Sequence, residues 1–202
     1  MSEEAFQIVQ QMDISKIEAQ MALHCAPVIT NIKISNLITV AREDEESLRM
    51  ILRKTGIQYF RLYRAEDKST FLLFHREKLE KCLKTKGARE LLTGLGYTDL
   101  EFGQILRNFQ KRFCDCRVQG EKFPHEIGLL LGYPLEDVIG FIENGGRNYL
   151  YSGYWKVYAD VERKVELFEA YEKAKDTLIY LLAIDMPMRK IMETYQYETN
   201  IA

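Results

Sequence analysis

The sequence predicts an α+β fold with a small, mostly antiparallel sheet of about four strands, and three observations carry that reading. Short β-rich runs recur at 33–41, 57–64, 70–75 and 148–158. Apolar residues at helical spacing fill most of the remaining chain. The two kinds of segment follow neither the strict strand-helix-strand alternation of a parallel sheet nor the pattern of an all-helical bundle. The expected arrangement is one sheet with helices packed on one of its faces.

Each element has its own signal. Residues 3–23 place Phe6, Val9, Met12, Ile17 and Met21 at helical spacing, and Pro27 predicts that this helix ends at Cys25 or Ala26, with His24-Cys25-Ala26-Pro27 opening a loop. IKISNLITVA alternates apolar and polar side chains with β-branched enrichment, as a half-buried strand does. DEESLRMILRKT carries acid at its start, base at its end and Gly56 as a stop, which predicts a helix over 44–55. IQYFRLY and TFLLFH flank the polar stretch RAEDKS, a hairpin signal, and helices are expected at 76–85 and 88–96. Thr98 and Glu101 have capping-box spacing ahead of a helix bearing Leu100, Ile105, Leu106, Phe109 and Phe113. LEDVIGFIENGG reads as a helix with an Asn-Gly-Gly stop, RNYLYSGYWKVYA as an aromatic strand, and closing helices are expected at 161–183 and 186–195.

Length and composition bound the rest. A chain of 202 residues suits one domain, and 47% hydrophobic with 29% charged residues excludes disorder and fibrous repeats. The net charge of −2, with both signs interspersed, gives no electrostatic footprint for nucleic acid. The acidic N-terminal stretch lacks the order of a secretory signal, and no apolar run reaches the roughly 18 residues of a membrane span, so a cytoplasmic location with no membrane partner is expected. Cys25, Cys82, Cys114 and Cys116 are then reduced thiols.

FPHEIGLLLGYP, residues 123–134, sets one of only three histidines ahead of an apolar run. Pro124 suits the first position of a helix, which places His125 and Glu126 in its first turn. The helix dipole there disfavours a charged imidazole and favours the Glu126 carboxylate.

The run FPHEIGLLLGYPLEDVIGFIENGG followed by YSGYWKVY, together with LHCAPVITNIKISNLI, resembles an uncharacterised bacterial family catalogued as domain of unknown function 3793. The resemblance spans about residues 20–175 and implies no activity, cofactor or ligand. It draws attention to His24, Cys25, Lys33, Asn36, His125, Glu126, Tyr133, Trp155 and Lys156 among the matching positions. Ile34-Ser35-Asn36 stands where a Pro-Ala-Asn type sequence is expected after the lysine.

Four chemical readings arise. A thiol enzyme would use Cys25 as nucleophile, His125 as base, and Glu126 or Asp137 to orient the ring. Its obstacle is Cys25 at a helix C-terminus, where the dipole raises a thiol pKa. A metal centre would need His24, Cys25, Cys114, Cys116 and His125 to converge, and their spacing matches no structural zinc module, so no metal is expected. An anion-binding pocket would draw on Lys33, Arg61, Arg64, His125 and Lys156 for charge and on Tyr133, Trp155 and Tyr158 for flat walls. Arg61 and Arg64, three apart on a strand, should lie on opposite faces. An interaction module would present the aromatic segment 148–158 as an edge strand.

The pocket reading is the strongest. The HCAP loop, the Pro-His-Glu helix start and strand 148–158 are expected to enclose a cleft for a small anionic ligand or cofactor. Within it, His24, Lys33, Asn36, Tyr133, Trp155 and Lys156 bind, and Cys25, His125 and Glu126 carry any chemistry. Thiol-dependent hydrolase or transferase activity is the alternative, followed by the interaction module. The sequence specifies neither the cofactor nor the oligomeric state.

Overall fold

The computed structural model of the chain describes residues 1–120 and 122–199. Asp13 divides the first expected helix, because its Oδ1 accepts the Ser15 backbone N–H at 3.0 Å and closes an Asx turn. Two helices result, α1 (Glu3–Gln11) and α2 (Ile17–Ile29). The second runs straight through Pro27, so the HCAP motif is helix rather than loop. Pro27 sits in the last turn, and Val28 and Ile29 beyond it are buried. The final carbonyls find donors, with Thr30 N–H on Ala26 O at 2.9 Å and Lys33 N–H on Pro27 O at 2.8 Å.

The sheet is built from β1 (Ser35–Ala41), β2 (Gln58–Arg64) and β3 (Lys68–Phe74) in the order β1-β3-β2, antiparallel throughout. A 3-10 turn at Arg42–Asp44 and helix α3 (Glu45–Leu52) connect the first two strands. Ile38, Val40, Phe71 and Leu73 face one apolar core, while Leu62, Leu72 and Phe74 face another. The expectation of helices on one face is thereby corrected: helices cover both. Fully burying one such side chain contributes about 1.5–3 kcal/mol, so two covered faces give the small sheet its stability.

A register shift between Arg61 and Tyr63 corrects a second expectation. The extra residue turns Arg61 and Arg64 to the same face, where both approach the Glu45 carboxylate, at 3.5 and 3.6 Å. Ser69 Oγ donates to the same group at 2.5 Å. Hydrogen bonding from Ser69, ahead of the neighbouring arginines, holds the Glu45 carboxyl below its ordinary range. These arginines are therefore committed to the sheet.

Beyond the sheet come α4 (Arg76–Leu83), α5 (Lys86–Gly94), α6 (Phe102–Gln119), α7 (Ile127–Leu130), α8 (Leu135–Asn144), α9 (Val161–Ala183) and α10 (Met188–Thr199). Helices α1, α2, α3, α9 and α10 contribute to the first core, and α4 to α8 contribute to the second. The Thr98 capping box does not form. Asp99 Oδ1 instead accepts the Glu101 N–H at 2.9 Å, and α6 starts at Phe102.

The fourth expected strand is a separate hairpin of β4 (Tyr151–Ser152) and β5 (Lys156–Val157). A Cβ on Gly153 would lie 2.3 Å from Phe168 Cε2, so the hairpin can press onto α9 only with glycine there. Trp155 and Val157 are buried with Phe168 and Tyr171 of α9 in a third, smaller cluster, while Tyr149, Leu150 and Tyr151 stay exposed.

Candidate binding cleft

The hairpin, the turn at His125 and helix α8 enclose a hollow of about 440 Å³. Phe123, Tyr133, Phe141, Tyr154 and Trp155 give its walls an aromatic character. Tyr133 stacks on Trp155 with ring centroids 4.6 Å apart, and Trp155 meets Phe168 edge-on, also at 4.6 Å. Across the hollow the His125 ring lies 5.1 Å from Phe141 and 5.9 Å from Phe123. Such offset and tilted contacts fix ring orientation without filling the space between the walls.

Lys156 and His125 belong to this lining in different ways. Lys156 Nζ donates to Gly146 O at 2.5 Å and stands over the Tyr149 and Phe141 rings at 4.8 and 5.8 Å from their centroids. An ammonium has three protons, so donors remain for a bound group. His125 is kept below its ordinary pKa by burial first and by the charge of Lys122 second, with Glu126 opposing. The expected helix dipole is not the cause: α7 begins only at Ile127 and is four residues long, leaving His125 and Glu126 in the turn before it.

Asp137 also belongs to the lining, at its buried back, and supports the wall. It is 2% exposed; its Oδ2 accepts Trp155 Nε1–H at 2.8 Å and its Oδ1 accepts the backbone N–H of Tyr158 at 2.7 Å. Lys164 is buried as well, donating to Glu136 Oε1 at 2.7 Å and lying 3.8 Å from Asp137 Oδ2. Sequence reasoning gave Asp137 only a ring-orienting role and overlooked Phe123, Phe141 and Tyr154 as lining residues. Helical spacing contains the signal for Phe141, one turn beyond Asp137 on α8.

The residues expected to join His125 separate into three groups. Tyr133, Trp155, Lys156 and His125 line the cleft. Lys33 is buried directly behind it, with Nζ 5.2 Å from the Tyr133 ring centroid and 2.6 Å from Asn36 Oδ1. Burial pushes the Lys33 amine down to about 8. Asn36 in turn donates to the His24 carbonyl, and the His24 side chain is exposed on α2. Glu126 is 1% exposed and faces Tyr97 and Arg112 rather than the lining.

Cys25 does not reach the cleft, which corrects the expected thiol-imidazole pair. It has no exposed surface, and desolvation pushes its thiol up to about 12 despite Asn36 and Lys33 beside it. Iodoacetamide at neutral pH is expected to modify the partly exposed Cys82, Cys114 and Cys116 while leaving Cys25 intact until denaturant is added. Peptide mass mapping checks this, and rapid native labelling of Cys25 would contradict its burial.

Among the described residues no group of three His, Cys, Asp or Glu side chains converges as a metal site, and no helix is long and apolar enough to cross a membrane. Compared with curated proteins and with solved structures, the chain shows no significant match. The family model described as "Protein of unknown function (DUF3793)" matches residues 21–192, so the chain belongs to that family.

Proposed function

We propose that this protein binds a small organic anion in the aromatic cleft, with the flat part of the molecule between Trp155 and Phe141 and its anionic end at Lys156. The observation that carries this reading is the convergence of the HEIG turn, α8 and the β4–β5 hairpin on one hollow whose described lining is largely apolar, with one ammonium and with the Asp137 carboxylate occupied by Trp155 Nε1–H and Tyr158 N–H. Any removal of a proton from the bound molecule falls to His125, whose depressed pKa leaves a neutral imidazole able to accept it near pH 7. A thiol mechanism draws no support from the buried Cys25. In this reading the chain is a single-domain cytoplasmic protein, consistent with its four free cysteines.

The cleft contains its own reporter, since Trp155 is the chain's only tryptophan. Titration with 1-anilinonaphthalene-8-sulfonate, a flat molecule with one sulfonate, is expected to quench Trp155 saturably with transfer of its emission to the probe. Lys156→Met should weaken binding about 5- to 30-fold, the range for losing one partly exposed charged hydrogen bond. Unsaturable quenching, or an unchanged affinity in the variant, would count against the proposal. Near-UV circular dichroism of the variant verifies that its packing is intact.

A further inference from the structure

A second hollow, of about 600 Å³, shares no lining residue with the aromatic cleft. It opens where four segments meet: the end of α2, the turn between α3 and β2, the first turn of α4, and α10. Its character is the reverse of the first. Lys54, Arg76 and Lys78 bring three cations from two separate segments, and Glu77 is the one carboxylate among the described lining residues.

Three cations against one carboxylate leave two positive charges over the lining, within a chain whose net charge is −2. Lys78 Nζ is held in place by Asn31, through the backbone oxygen at 3.0 Å and Oδ1 at 2.6 Å. Arg76 Nε lies 3.6 Å from the partly exposed Glu80, an i,i+4 pair of small energetic weight, and its guanidinium stands 5.3 Å from the Phe102 ring centroid. His75 stands at the N-cap of α4, but its ring Nε2 is committed to Val28 O at 2.8 Å. The His75 side chain therefore does not cap α4, and the first-turn N–H groups add positive potential to a wall already rich in cations. The His75 ring is held neutral by burial, so the charge comes from the three longer side chains.

We propose that this hollow binds a small organic phosphate, with the phosphoryl group held by Lys54, Arg76, Lys78 and the start of α4. A phosphomonoester carries about two negative charges near neutral pH and several acceptor oxygens, which matches both the charge and the spread of donors. A lone carboxylate would leave one cation unbalanced. Ile29, Ile57 and Met192 supply an apolar floor for the organic part. This site is independent of the aromatic cleft and stands or falls separately from it.

The test is calorimetric titration of the full chain with adenosine monophosphate and, separately, with inorganic phosphate. Saturable binding of the nucleotide is expected, stronger than that of phosphate, weakening as salt rises from about 50 to 200 mM. Trp155 emission should not respond, because Trp155 lies in the other hollow. Lys54→Gln combined with Arg76→Gln should reduce nucleotide affinity at least about tenfold, as loss of two charge-assisted contacts implies. If the double variant melts early, Lys54→Gln alone, on an exposed side chain, is expected to give a smaller loss in the same direction. Absence of saturation, equal affinity for phosphate and nucleotide, binding indifferent to salt, or full affinity in the folded variants would each overturn the assignment.

Discussion

Replacing Asp137 with alanine is expected to destabilise the protein by about 3–5 kcal/mol, a large part of the roughly 5–15 kcal/mol that holds a typical domain folded. The carboxylate accepts from Trp155 Nε1 at 2.8 Å, from Tyr158 N at 2.7 Å and from Ala159 N at 3.3 Å. Without it the indole N–H and the Tyr158 amide lose their acceptor in a buried setting, which costs about 1–3 kcal/mol for each group left unpaired. Lys164, with a side chain 5% exposed, then keeps, among the described residues, only Glu136, itself 52% exposed, as a carboxylate partner. Asp137→Asn should cost less, since an amide oxygen still accepts from one of these donors. Urea denaturation measures the loss, and Trp155 emission should move to longer wavelength in the native baseline as water reaches the indole. A cost below about 1 kcal/mol would show that the hairpin is anchored elsewhere, since that is the net worth of one ordinary hydrogen bond.

The position of Asp137 also shows what the sequence made legible. Helix α9 spans Val161–Ala183 as its periodicity predicts, and the three sheet strands lie close to where alternation in IKISNLITVA and β-rich composition around RAEDKS place them. Covering of both sheet faces was less visible. The signal was present in TFLLF, which does not alternate and so reads as a strand buried on both sides, since polar residues would otherwise mark a solvated face. Arg61 and Arg64 escaped simple parity because one bulge reverses it, and nothing local in QYFRLYR announces the extra residue.

The candidate site was half legible for a related reason. The Pro-His-Glu turn and the Gly-Tyr-Trp-Lys hairpin do share one hollow, each bringing rings and a polar group at an element boundary, where sites tend to lie. The HCAP segment belongs elsewhere. From Ala19 to Ile29 the segment is buried at Met21, Ala22, Cys25, Ala26 and Val28, positions that share one side of the helix, while His24 lies off that side and is exposed. That side faces the first core, so the burial of Cys25 follows from its neighbours rather than from the motif. Lys33, just past this helix, touches the cleft only through the back of Tyr133.

Glu126→Ala is expected to cost about 2–4 kcal/mol, and the reasons separate an anchoring role from a catalytic one. Glu126 Oε1 accepts the Tyr97 hydroxyl at 3.0 Å and lies 2.6 Å from Arg112 Nε. The Arg112 Nε–H is not directed along that contact, so the pair is electrostatic rather than hydrogen-bonded, and Oε2 has no partner among the described residues. Because the Arg112 side chain is 42% exposed, water can solvate it once the carboxylate is gone, which holds the cost below that of a fully buried pair. Tyr97 has no such recourse at 3% exposure, and its hydroxyl would be stranded. Glu126→Gln keeps an acceptor for Tyr97 and should recover about half the loss. Arg112→Met in that background should add little, because the charge pair is already broken, whereas Arg112→Met alone leaves a buried carboxylate uncompensated and should cost more. This non-additivity is the signature of an anchor that fixes the turn carrying His125. If Glu126 instead served a bound molecule, Glu126→Gln would weaken sulfonate binding in the cleft and leave the urea midpoint unchanged.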